Sequence, residues 1–251
     1  MRSFCLALAL CLAGAAHAAR CTAESGPGTT ALVELYTSEG CSSCPPADRW
    51  LSAVGKRYEP RRLVPLALHV DYWDYIGWKD PYARREFALR QKKLSALQRL
   101  AFVYTPQVVL QGRDFRGWAD SGFDAAVARI NAQPAKAHLS LAILAVDAAG
   151  LDVEAGARLG QPSADAALYI AAYRSRLENR VDAGENRGRI LSHDYVALEW
   201  KGPIPLGPDR LVERRRLALV PGAGPADSGV AAFVQDRRTG EVLQALLRSA
   251  C

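Results

Sequence analysis

The residues best suited to chemistry are Cys41-Ser42-Ser43-Cys44. Two sulfurs at this spacing can close on each other, so the pair can cycle between dithiol and disulfide. In that reading Cys41 attacks a substrate disulfide and Cys44 resolves the mixed disulfide. Thiolate is the reactive form, and a helix N-terminus behind a C-x-x-C pair favours it. Pro45 and Pro46 disfavour helical backbone at the residue before each. They put the helix start at Pro46, with Asp48 in its first turn and Cys41 several residues outside. Glu39 and Asp48 add negative charge, so the helix contributes little to activating Cys41. The same spacing also suits a permanently closed local bridge, or a metal site with His69 or His193 added. Two thiolates without a second Cys or His pair do not complete a zinc site, so neither metal nor cofactor is expected.

Other candidates lie downstream. Tyr104-Thr105-Pro106-Gln107 opens an apolar run, and only X-Pro bonds adopt cis at modest cost. Thr105-Pro106 is therefore expected to be cis and to face the cysteines. Residues 72–78 hold Tyr72, Trp73, Tyr75 and Trp78, interleaved with Asp71, Asp74 and Asp80. This segment reads as a lid over one end of a sheet, or as a substrate-binding rim made of Tyr72, Trp73, Trp78 and His69. His69 ends an apolar run, where α/β sheets build sites, although a lone histidine there is commonly structural. Trp118 fits either arrangement. Residues 185–189, with His193, read as a contact between halves, a partner surface or a long solvated turn.

The elements that must position these residues follow from apolar runs and turn residues. Residues 31–36 predict a buried strand, followed by the cysteine pair and a helix through Trp50, Leu51 and Val54. Residues 63–70 predict a second strand, in which Pro65 hints at an edge or a bulge. Asp80-Pro81 caps a helix running to about Leu100. A strand over 107–111 turns into a short strand around Phe115, and Asp120 caps a helix through Phe123, Val127 and Ile130. A C-x-x-C pair directly after the first strand of this β-α-β pattern is the thioredoxin arrangement. Beyond Gln133-Pro134, short strands are expected at 139–143, 165–170, 194–198 and 216–220, with a hairpin over 230–235 and 242–245. Gly-, Pro- and Asn-rich turns between them favour an antiparallel sandwich. The expected fold class is α/β: a thioredoxin-like domain over 19–133, then an antiparallel β-sandwich over 134–251.

Residues 1–18 read as an export leader: Met1-Arg2, an apolar stretch over 4–12 and cleavage after Ala18. The stretch is too short to span a bilayer, and Arg20 before Cys21 argues against lipid attachment. A periplasmic or secreted location is expected, with no membrane span. Export leaves four cysteines, Cys21, Cys41, Cys44 and Cys251, which allow three pairings. With Cys41 and Cys44 closed locally, Cys21 and Cys251 remain, at chain ends that commonly lie close together. Two unpaired terminal thiols are the alternative. The composition, 49% hydrophobic and 23% charged, is that of a globular chain and excludes disorder, collagen and coiled coil. The net charge of +6 is spread without a long like-charge run, which argues against nucleic acid as a partner. No Ser-His-Asp set, phosphate loop or carboxylate pair stands out. The expected partners are protein thiols or disulfides, and the chain is expected to be a monomer.

Four runs carry a resemblance to a known family. They are Glu34-Leu35-Tyr36-Thr37-Ser38-Glu39-Gly40 continuing through Cys41-Ser42-Ser43-Cys44 to Pro45-Pro46-Ala47-Asp48; His69-Val70-Asp71-Tyr72-Trp73-Asp74 through Pro81; Tyr104 to Gln107; and Gly184-Glu185-Asn186-Arg187-Gly188-Arg189. Together they resemble a family of predicted secreted proteins with a thioredoxin-like domain, the domain of unknown function 1223. The resemblance implies a fold and supplies no activity. The functional expectation is an exported thiol-disulfide oxidoreductase-like protein. The alternative is a non-catalytic binding or structural module, or a metal-handling protein, with Cys41–Cys44 as a structural bridge.

Overall fold

The structure is a computed structural model that describes residues 21–219 and 227–251. The leader expected at residues 1–18, and Val220 at the end of an expected strand, lie outside the described residues. In chain order the first half contains β1 (Cys21–Glu24), β2 (Ala31–Thr37), α1 (Pro45–Arg57) and β3 (Leu63–His69). A 3₁₀ turn (Asp71–Ile76), α2 (Arg85–Leu97), β4 (Gln107–Leu110), β5 (Arg113–Asp114) and α3 (Gly122–Asn131) complete it. The second half runs through β6 (Ala137–Asp147), β7 (Gly150–Leu159), β8 (Ala166–Arg174), β9 (Leu177–Arg180) and β10 (Ile190–His193). It ends with β11 (Val196–Pro205), β12 (Leu211–Ala218), β13 (Ser228–Asp236) and β14 (Val242–Ser249).

The central strands β2 and β3 are buried along their whole length and pair in parallel, from Ala31 opposite Leu63 to Thr37 opposite His69. Side chains of a strand alternate between faces, and both faces here are covered. Val33 and Leu35 pack with Leu51 and Val54 of α1 and with Phe123 and Val127 of α3. Leu32 and Tyr36 face the other way, toward Phe87 and Leu94 of α2. This double covering explains why β2 reads as a near-continuous apolar run, broken by Glu34, rather than an alternating one.

The fold is a strand-rich mixed α/β arrangement. One sheet of eight strands has the order β14-β13-β8-β11-β3-β2-β4-β5, and a second of four has the order β1-β6-β7-β12. Leu139, Leu141 and Ile143 of β6 share a core with Leu168 and Ile170 of β8 and with Ala232 and Val234 of β13. The second half thus packs as two antiparallel layers, but its larger layer continues the sheet of the first half. The Ala67 amide donates to the Tyr195 carbonyl at 2.8 Å, and β1 pairs with β6 across the expected boundary at 133/134.

Three local expectations are corrected. Pro65 marks neither an edge nor a bulge in the β2–β3 register, because β3 lies inside the eight-stranded sheet. Amides two residues apart point the same way, so Pro65 faces the β11 side as Ala67 does; β11 pairs with β3 only at Val196–Ala67, and the missing donor is not needed. The second helix starts at Arg85 rather than at Pro81, because the Asp80 carboxylate is bonded to His69 and to the amides of Glu39 and Tyr82. Helix α1 begins at Pro45, one residue earlier than expected, with Cys44 as its N-cap in helical backbone (φ −77°, ψ −38°). Both prolines then occupy positions whose amides would have no intrahelical partner.

Candidate functional site

Cys41 and Cys44 are joined as a disulfide with Cα atoms 5.4 Å apart, between the end of β2 and the start of α1. The Cys44 carbonyl accepts from the amides of Ala47 and Asp48, so the second cysteine is held by the first turn of the helix. Both cysteines are 0% exposed, while Ser42 and Ser43 between them are open to solvent.

Beside this loop lies a buried polar cluster contributed by both halves of the chain. Glu39 is two residues before Cys41, and Asp48 is four residues after Cys44. His69 ends β3, Asp80 follows the aromatic turn, and His193 ends β10. His69 Nδ1 lies 2.7 Å from Asp80 Oδ2, and His193 Nε2 lies 3.2 Å from Glu39 Oε1. The two imidazoles meet edge to face at 4.9 Å, with the Tyr82 ring against both. Glu39 also accepts from Trp78 Nε1 and Asn179 Nδ2, each at 2.9 Å.

Burial and charge oppose each other here. Burial disfavours a charged imidazole, yet Asp80, with Asp48 and Glu39 behind it, outweighs that and raises the His69 pKa above its ordinary value. Burial alone would raise Asp80, but His69 and the Glu39 and Tyr82 amides hold its carboxyl below the usual range. Asp48 is pushed up by burial, against the opposing pull of His193, His69 and Thr37. Two buried imidazole nitrogens here, His69 Nε2 and His193 Nδ1, have no hydrogen-bond partner, and Thr37 Oγ1 and Asp48 Oδ1 make no bond of normal length, although the Thr37 hydroxyl acts on the Asp48 carboxyl. Among the described residues no group of three or more His, Cys, Asp or Glu is arranged to hold a metal ion.

Two further segments close over the cysteine loop. The aromatic turn packs on Gly40, where an added Cβ would stand 3.1 Å from Trp73 Cβ, tighter than an ordinary contact, so the glycine eases this close approach. Trp73 Nε1 donates to Thr105 Oγ1 at 2.7 Å, which sets the cis Thr105-Pro106 bond against the same turn. Tyr72 bonds Gln91 of α2, and Trp78 bonds Glu39. Tyr75, stacked on Trp73, is 82% exposed. Trp118 lies elsewhere, against Trp50 at 5.2 Å.

The second segment is the loop between β9 and β10. Asn186 Nδ2 donates to the Glu39 and Cys41 carbonyls at 2.8 and 2.9 Å, and Glu185 Oε2 accepts from the Ser42 amide at 2.9 Å. Gly184, at φ +73°, packs on Ile76 and Trp78. Glu185 and Asn186 therefore fasten this loop to the cysteine loop, while residues 187–189 are solvent-exposed. Glu39, Asp48, Asp80 and Asn179 are not among the site residues the sequence suggests, and Asn186 enters there only as part of the 185–189 loop. Glu39 and Asp48 flank the cysteines within two and four positions, and that proximity was the available signal.

Residues 32–235 match the family described as proteins of unknown function, DUF1223. The chain belongs to this family. A crystal structure of a protein from Agrobacterium tumefaciens is similar to this DUF1223 chain over 89% of its length and 96% of the other's, at 25% identity and TM-score 0.64. HBP35 of Porphyromonas gingivalis matches 90% of this chain and 76% of its own, at 14% identity and TM-score 0.65, a likeness of fold alone. Among curated proteins none matches the chain. The DUF1223 description carries no activity, so function has to be argued from the geometry.

Proposed function

We propose that this DUF1223 protein is an exported, thioredoxin-like thiol-disulfide exchange protein with Cys41–Cys44 as its redox centre. The observation that carries this reading is placement. The disulfide opens α1 directly after the central parallel strand, beside three buried carboxylates and two buried histidines. A bridge with a purely mechanical role needs no titratable interior, whereas exchange moves protons with every electron pair. The order β2-α1-β3-α2-β4-β5-α3 supports the thioredoxin-like assignment. Export is supported by the leader-like residues 1–18 and by two disulfides, which persist in oxidising compartments. No helix among the described residues is long and apolar enough to cross a membrane.

In this reading a protein thiolate attacks Cys41, Cys44 leaves, and the second substrate thiol completes the exchange, which oxidises the substrate; the reverse sequence, opened by Cys41 attacking a substrate disulfide, reduces it. Tyr75 and Trp73 offer an aromatic rim for an approaching chain. The complete burial of both cysteines favours a second reading, a non-catalytic module with a permanent Cys41–Cys44 bridge. Redox titration with alkylation and mass readout separates the two. A midpoint between about −120 and −270 mV supports exchange, and one below about −300 mV marks a permanent bridge.

A further inference from the structure

We infer that Asp48, His69 and His193 form the proton store for the Cys41–Cys44 pair, so that the second half of the chain supplies part of the redox machinery. This rests on the exchange reading above. Each imidazole is tied to a carboxylate through one nitrogen, His69 to Asp80 and His193 to Glu39, and each leaves its other nitrogen unpartnered. Those free nitrogens belong to rings 4.9 Å apart, and His193 Nδ1 stands 4.0 Å from Asp48 Oδ2. Thr37, whose hydroxyl acts on the Asp48 carboxyl, pairs with His69 across the β2–β3 ladder and so ties the two groups together. Buried polar atoms are ordinarily satisfied, and unsatisfied ones call for a role. The two unpartnered imidazole nitrogens, with the Asp48 carboxyl beside them, provide sites to accept and release protons.

The link to sulfur runs along α1. Asp48 is four residues from Cys44, hence on the same helix face one turn on, and its amide bonds the Cys44 carbonyl at 3.1 Å. During reduction by a protein dithiol, the first substrate thiolate bonds to Cys41 Sγ. The Cys41–Cys44 bond breaks and its electron pair stays on Cys44. That thiolate is fully buried, one helical turn from Asp48, so it requires a proton, which the cluster donates. The second substrate thiolate then bonds to the first substrate sulfur, Cys41 leaves as thiolate and is protonated by solvent, and the substrate ends as a disulfide.

The other charged groups around the imidazoles are Glu39, Asp80 and Tyr82, with Arg174 of β8 acting on Tyr82. Asp194, next to His193, is engaged by Lys56 and by the Arg176 amide.

The test is the exchange constant of the full chain with dithiothreitol between pH 5 and 8. The dithiothreitol couple takes two protons, so the constant is flat with pH if the cysteine pair also takes two from solvent. Where the cluster supplies one and is not refilled, reduction releases a proton. The constant then rises with pH, by up to tenfold per unit. Wild type is expected to show that rise, and Asp48→Asn and His193→Gln to flatten it. Asp48→Asn removes a charge that burial penalises, so the fold is expected to survive it. A flat wild-type profile, or the same slope in wild type and both variants, overturns the inference while leaving the exchange reading standing. A pair that dithiothreitol does not reduce at any pH overturns both.

Discussion

At the scale of single residues, the His69–Asp80 pair makes stability depend on pH in a definite direction. His69 is raised above its ordinary value of 6.5, so its contribution is complete below about 6.5 and is lost as pH rises through the folded value. Asp80 is lowered below 3.8, so its contribution is complete above about 4 and is lost as pH falls through the folded value. The pair therefore stabilises most between about pH 4 and 6.5. Urea midpoints of wild type and His69→Asn, compared from pH 3 to 9, are expected to differ most in that window and to converge at both ends. A difference that is constant across the range would show that the pair carries no proton linkage. Little of this was visible in the sequence. Asp80 precedes a proline and looks like a helix cap, and only the folded chain brings it to His69.

At the scale of elements, what could be read was what local pattern encodes. The runs at β2, β3 and β4 are apolar because each is buried on both faces, and the Cys-x-x-Cys pair and Thr105-Pro106 punctuate them in order. Beyond the Cys21–Cys251 pairing, the partners of long-range contacts were not readable: Glu39 meets His193 154 positions away, and Asn186 reaches Cys41 across 145. Nothing near Val196 announces that β11 lies beside β3. Asn186 offers the clearest functional consequence of these hidden contacts. Its two hydrogen bonds hold the β9–β10 loop over the cysteines, and each bond contributes roughly 1 kcal/mol net. Asn186→Ala is therefore expected to speed alkylation of reduced Cys41 by about 5- to 30-fold, the range for 1–2 kcal/mol. Cys41 should still be labelled before Cys44. Unchanged labelling in this variant would mean that the loop does not control access, and the aromatic turn would then be the cover to test.

At the scale of the whole molecule, the two halves are interlocked by more than the shared sheet. Arg90 of α2 bonds Glu34 on β2 and Gln235 on β13, and its guanidinium lies about 5 Å from the rings of Tyr169, Trp200 and Phe233. The second device is the Cys21–Cys251 disulfide, which joins residues 230 positions apart. Cys21 opens β1, an edge strand of the smaller sheet, and Cys251 lies two residues beyond β14, an edge strand of the larger. The bridge thus staples the two layers at edges that would otherwise fray. Its enclosed loop covers nearly all the described chain, and chain-entropy reasoning gives about 5 kcal/mol as an upper figure for so long a loop. The double variant Cys21→Ser/Cys251→Ser, which leaves no stray thiol, is expected to lose about 2–5 kcal/mol in urea unfolding. Its m-value should rise, because the denatured chain is no longer tied at its ends and exposes more surface. Amide exchange should quicken first in β1 and β14, while β2 and β3 keep their protection until global unfolding. Equal stability and equal m-value in wild type and the double variant would show that the shared sheet and the Arg90 contacts hold the halves together without the clasp.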